Sequence, residues 1–182
     1  MDPVSEQPSR YTRSFNGMVG ALIVTILFVL AFVGWRALFR DDVDAAAPTV
    51  DWQESVQLAD EAGLAVVRPT ELPDGWQATS VDLVAVGDEP RWGLGVLTDD
   101  GDFIGIRQQD MSVDDLARLY IDEEPVEGDE VSVASDVAST WQAWSDDGGD
   151  RGFSTELGDE TLLVYGSAPV EQIEDYIGLL TR

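Results

Sequence analysis

The chain has 182 residues, ten of them basic and 36 acidic, with neither cysteine nor histidine. Arg10, Arg13, Arg36 and Arg40, with Asp2 and Glu6, lie in the first 40 positions, so the remainder carries six arginines against 34 carboxylates. A surface so acidic repels nucleic acid and anionic headgroups, and the missing residue types exclude disulfides, thiol nucleophiles, Cys/His zinc sites and a Ser-His-Asp triad.

Residues 1–16 read as a short polar head. From Gly17 to Trp35 there follow 19 residues without a charge, "GMVGALIVTILFVLAFVGW". At ~1.5 Å per residue such a helix spans roughly 28 Å, close to the thickness of the hydrocarbon layer. Arg36 can snorkel outward, so Ala37, Leu38 and Phe39 can extend the span, and the predicted transmembrane helix covers residues 17–39. Trp35 suits the interface. "AAAP" at Ala45–Pro48 offers a rival reading as the cleavage site of a signal peptide. The apolar run is longer than a signal peptide needs, however, and proline follows the cut, so an uncleaved signal-anchor is expected. Arginines flank the run equally on both sides and leave the positive-inside rule undecided. The short head ahead of a long domain favours a cytoplasmic N-terminus and an extracytoplasmic C-terminal domain. Gly17 and Ala21 have the spacing of a helix-pairing face.

Residues 40–48 read as a linker and 49–182 as one acidic domain, a size suited to a single core. Asp51 and Glu54 have capping-box spacing ahead of a helix with Trp52, Val56, Ala59 and Ala62 on one face, and Gly63 is its stop. Strand-like runs follow at Leu64–Arg68, Trp76–Val86, Gly93–Leu97 and Phe103–Arg107. "PDG" at Pro73–Gly75 and "TDDG" at Thr98–Gly101 supply turns, and the second closes a hairpin. Ser112 and Asp115 cap an amphipathic helix carrying Val113, Leu116, Ala117 and Tyr120. Asp122–Glu130, "DEEPVEGDE", reads as an acidic loop. Further strands are predicted at Val131–Val133, Thr140–Trp144, Gly152–Leu157 and Glu160–Tyr165. After Pro169, the residues Val170, Ile173, Ile177 and Leu180 give a last helix its apolar face. "WQA" occurs at Trp76–Ala78 and again at Trp141–Ala143, each time followed by a hairpin and a helix. The pattern predicts an α+β fold, a mostly antiparallel sheet with helices on one side.

Three groups of residues could carry chemistry. The Asp-rich turns Asp99–Asp102 and Asp146–Gly152 offer clustered oxygens, yet neither has EF-hand spacing, and Asp and Gly are also what tight turns require. Whether a metal is bound stays open at this stage. Trp52, Trp76, Trp92, Trp141 and Trp144 could stack on sugars or fill the core. Trp141 and Trp144, three apart on a strand, must point to opposite faces, so at most one of the two is expected in the core. Paired carboxylates could hydrolyse glycosides, but among so many acids no pair stands out. Neither a phosphate-binding Gly-rich loop nor a Ser-x-x-Lys motif is present. No catalytic or cofactor-binding residue is therefore assigned, and no cofactor is expected.

The stretches "RYTRSFNGMVGAL" (Arg10–Leu22), "LPDGW" (Leu72–Trp76), "WGLGVLTDDGDFIGIRQ" (Trp92–Gln108) and "LLVYGSAPVEQIEDYI" (Leu162–Ile177) resemble the actinobacterial domain of unknown function 4245 family over nearly the whole chain. The resemblance implies a membrane anchor and a domain outside the cytoplasm, and supplies no activity. The expected function is a non-enzymatic, membrane-tethered envelope module binding a protein or cell-wall partner. The alternatives are a carboxylate-based enzyme acting on envelope glycans and a cation-responsive sensor.

Overall fold

A computed structural model describes residues 48–87 and 89–182, together with Leu22, Thr25, Ile26, Phe28 and Val29. Chain contacts separate two units, Met1–Ala45 and Ala46–Arg182. The five described residues of the first unit are helical, and Leu22, Ile26, Phe28 and Val29 are exposed. The predicted head, the rest of the predicted span and nearly all of the linker lie outside the described residues. Among the described residues no helix is long and apolar enough to cross a membrane.

The second unit runs α1 (Trp52–Glu61), β1 (Arg68–Pro69), β2 (Gln77–Val84), β3 (Arg91–Leu97), β4 (Phe103–Gln109), α2 (Val113–Tyr120), β5 (Val126–Val131), β6 (Trp141–Ser145), β7 (Arg151–Leu157), β8 (Glu160–Gly166), α3 (Val170–Gly178) and β9 (Leu180–Thr181). Seven strands form one antiparallel sheet in the order β2-β3-β4-β8-β7-β6-β5, and β1 pairs with β9. The helix ends follow the sequence signals. The Asp51 carboxylate accepts from the Glu54 N–H at 3.2 Å. Gly63, at φ +79°, closes α1 by donating to the Asp60 carbonyl, while Leu64 donates to that of Ala59, as an αL glycine at a helix end allows. Ser112 Oγ accepts from the Asp115 N–H at 3.2 Å.

Strand alternation sorts the side chains onto two faces. Trp92, Leu94 and Val96 of β3, Ile104 and Ile106 of β4, Phe153 of β7, Leu162 and Val164 of β8 and Trp141 of β6 share the first face. There they pack with Trp52, Val56 and Ala59 of α1 and Ile173, Tyr176 and Ile177 of α3. Each such aliphatic side chain contributes roughly 1.5–3 kcal/mol on burial. The second face has its own smaller core, in which Leu116, Ala117 and Ile121 of α2 and its C-terminus meet Leu163 and Trp144. The expectation of helices on one side is thus corrected. β8 reads apolar at successive positions, Leu162 to Val164, and all three are buried, as a strand covered on both faces requires.

Four further corrections concern the chain's course. Of the predicted strand Leu64–Arg68, only Arg68 pairs in a ladder, with Thr181. The residues before it are held by side chains instead: Gln108 accepts from the Val67 N–H (2.7 Å) and donates to the Ala65 carbonyl (2.9 Å), and the Trp92 indole donates to the Val67 carbonyl (2.8 Å). The predicted loop Asp122–Glu130 contains most of β5, and the strand expected at Val131–Val133 ends at Val131. Leu180, placed on the last helix from its spacing, belongs to β9. The "WQA" echo does reflect architecture: β2-β3-β4 and β6-β7-β8 are two three-stranded meanders joined through β4 and β8, each followed by a helix. The helices then diverge, α2 to the second face and α3 to the first.

Candidate functional site

The second face sets the candidate site. α2 lies over β7 and β8, near the middle of the sheet. Strands β2-β3-β4 extend beyond it on one side and β6-β5 on the other, and an open cleft flanks the helix on each side.

The β2-β3-β4 side is built around Arg107. Its position on β4 faces Gly93 of β3, and the guanidinium lies so close that a Cβ at position 93 would fall 1.8 Å from Nη1. Any Cβ there would push the guanidinium aside, so glycine lets it lie flat on β3. So placed, Arg107 stacks over the Tyr120 ring at 4.7 Å and pairs with Asp82 at 3.5 Å, a carboxylate that Arg91 shares at 3.1 Å. Tyr165 lies over Gly105 in the same way and meets Tyr120 (5.5 Å) and Phe103 (5.8 Å). Burial pushes the Tyr165 phenol up, partly opposed by the charge and hydrogen bond of Arg107. The Arg107 Nε is buried without a partner. This cluster pins the last turn of α2 to the sheet and forms one end of a cleft of about 630 Å³ lined by Asp82, Arg91, Gln109, Leu119 and Tyr120 among others.

The β6-β5 side holds a cleft of about 620 Å³. Its walls carry four carboxylates, Asp114 from α2, Glu127 and Glu130 from β5 and Glu156 from β7, with Gln142, Trp144 and Ser154 between them. The Trp144 indole donates to Ser154 Oγ at 2.8 Å, which fixes the ring against the sheet. Among the described residues no arginine lines this cleft, and no three acids converge closely enough to hold a metal ion. The four carboxylates come from three separate elements, α2, β5 and β7.

Of the residues singled out from sequence, Trp144 lines the acidic cleft and the others go elsewhere. The Asp146 carboxylate accepts from the N–H groups of Gly149 (2.6 Å) and Asp150 (2.7 Å), closing its own turn. In the Asp99 turn, Thr98 Oγ1 accepts from the Asp102 N–H. Asp150 has its carboxyl pKa raised, by burial first and by Asp146 second, against the opposing charge of Arg151, and it lines neither cleft. Trp52, Trp92, Trp141 and Trp144 are all buried, and Trp76 is half-buried against Tyr176 at 5.7 Å. Trp141 and Trp144 do point to opposite faces, but α2 gives the second face a core of its own, so both are covered and the expectation of at most one is corrected. The sequence reading missed Arg107, Gly93 and the acidic cleft. The arginine that ends the apolar run "FIGIR", two positions after Gly105, was the available signal.

The family model for a protein of unknown function, DUF4245, matches residues 10–180. The chain belongs to this family. No curated protein matches this DUF4245 member. Among solved structures it is similar to MucB in its complex with MucA(peri), at 16% identity and TM-score 0.36, and to the MucA/MucB complex of Pseudomonas aeruginosa, at 18% identity and TM-score 0.35. Each match covers 64% of this chain, and the chain spans about a third of those structures, 36% and 35%. At that level of similarity no partner or site residue passes from those proteins to this DUF4245 member.

Proposed function

We propose that this DUF4245 member is a membrane-anchored, extracytoplasmic binding domain without catalysis of its own, which recognises an envelope partner through the second face of its sheet. The observation that carries this reading is the pair of clefts flanking α2. They are floored by hydrogen-bonded strands and flanked by α2, as a preformed recognition surface should be. Anchoring is supported by the uncharged run Gly17–Trp35 and by the exposure of Leu22, Ile26, Phe28 and Val29, apolar side chains that water would not favour. The acidity of the domain points toward partners of positive charge.

The test is site-specific photo-crosslinking in intact cells. A reporter at Thr140, exposed on the rim of the acidic cleft, is expected to form a discrete adduct with an envelope protein. A reporter at Glu61, exposed at the end of α1, is expected to form none. Equal labelling from both positions, or turnover of a cell-wall glycan by the purified full-length chain, would overturn the proposal.

A further inference from the structure

The two edges of the seven-stranded sheet are treated differently. Along β2, the chain's own segment lies against the edge: the Val50 N–H donates to the Ala78 carbonyl at 2.9 Å, and Thr49 reaches Gln77 at 3.4 Å. Among the described residues β5, at the opposite end of the strand order, pairs with β6 alone. Val126 to Glu130 are exposed, with Val126 54% accessible. An unpaired strand edge is a template for another strand.

We infer that the free edge of β5 pairs with an extended basic segment of a partner protein, whose alternate side chains enter the acidic cleft beside it. This deepens the binding-module reading above and rests on it. The occupant follows from charge and geometry. Glu127 lies opposite Trp144, and Glu130 opposite Gln142, in the β5–β6 ladder, and all four residues line the cleft. The β5–β6 ladder shifts register between Glu127 and Glu130, which brings these two residues, three apart, to one face, and a strand added beyond β5 would present every second side chain to that face. Carboxylates from three separate elements suit several guanidinium or ammonium groups on a chain better than one compact ion, and Trp144 offers an apolar wall for their stems. A second copy of this protein does not fit, because two β5 edges would set Glu127, Asp129 and Glu130 against one another, and like charges across a ladder repel. Backbone pairing would supply affinity and the carboxylates the choice of partner.

The experiment uses the full chain in detergent micelles and a blocked hexapeptide alternating arginine and valine. Two control peptides are needed, one with glutamate for arginine and one with alternate backbone nitrogens methylated. The expected result is amide exchange slowed by at least about tenfold across Val126–Val131, with no binding of either control. Glu127→Gln with Glu130→Gln is expected to weaken binding by at least about fivefold at unchanged melting temperature. Unchanged affinity for the methylated peptide would reduce the interaction to charge alone and overturn the inference, as would protection located away from β5 or association of the chain through β5. If crosslinking at Thr140 captures an envelope protein while the peptide leaves β5 unprotected, the inference fails and the binding-module reading stands. If the peptide protects β5 while Thr140 and Glu61 crosslink equally, the binding-module reading fails instead.

Discussion

Replacing Tyr176 with phenylalanine is expected to make the domain more stable. The Tyr176 ring is completely buried between α3 and the first face of the sheet, and its hydroxyl is buried without a hydrogen-bond partner. A hydroxyl stripped of water and left unpaired costs about 1–3 kcal/mol, whereas the ring keeps its packing against Trp76 in the variant. Allowing for the small void left behind, Tyr176→Phe should gain about 1–2 kcal/mol at pH 7, or roughly 3–8 °C in melting temperature for a domain of this size. The same group makes the protein sensitive to alkali. Burial raises the Tyr176 phenol far above its usual range, so the folded state keeps a proton that the unfolded state releases. The stability is therefore fully present below about pH 10 and falls above it, by roughly 1.4 kcal/mol per pH unit for this one group. Tyr165, also raised by burial, adds to the decline in the same direction. Thermal unfolding followed by near-ultraviolet circular dichroism, at pH 7 and from pH 10 to 11.5, measures both effects. The variant should melt higher at pH 7 and lose less above pH 10. A loss of 1 kcal/mol or more at pH 7 would show that the hydroxyl has a partner, and an unchanged alkaline slope would show that it is not the titrating group.

Gly166→Ala should be strongly destabilising, because its Cβ would stand 2.0 Å from the Phe103 carbonyl oxygen and 3.0 Å from the Ile104 Cα, backbone atoms that cannot swing away. With the bonds from Ser167 and Ala168 to that carbonyl also strained, a loss of about 3–5 kcal/mol is expected in chemical denaturation, and a loss under 1 kcal/mol would contradict it. Arg107→Met should cost about 1–3 kcal/mol in chemical denaturation: it removes the unpartnered Nε, but the contacts with Tyr120 and Asp82 are lost and the Tyr165 hydroxyl loses its Arg107 hydrogen bond. Asp146→Ala removes the acceptor for two turn N–H groups and should cost about 1 kcal/mol, equally with calcium or with chelator present.

Local chemistry made much of the fold legible from sequence. The caps at Asp51 and Ser112, the stop at Gly63 and the turn at Thr98–Gly101 are fixed by residues within four positions of each other, and all are where their residue types require. β5 was not legible because "VEGDEV" has no apolar alternation, and an edge strand with both faces near water needs none. The side chosen by α2 depends on strand order: β8 pairs with β4 rather than ending the sheet, so Leu163 and Tyr165 stand at its middle and require a cover. The acidic cleft depends on the same order, since Asp114, Glu127, Glu130 and Glu156 line one cleft only because α2 packs on β7 and β8, with β6 and β5 next in the sheet. The Asp146 turn was ambiguous because the carboxylate that accepts its main-chain N–H groups is also one a cation would use, whereas in the Asp99 turn the acceptor is the Thr98 hydroxyl.

The central claim, an anchored domain facing the envelope, is tested most directly by labelling in intact cells. The chain has no cysteine, and Asp100 is exposed in the turn between β3 and β4, so Asp100→Cys provides a single reporter thiol for a membrane-impermeant maleimide. Labelling of unbroken cells, to the extent seen after lysis, is the predicted result. Labelling only after lysis would place the domain in the cytoplasm and contradict the account.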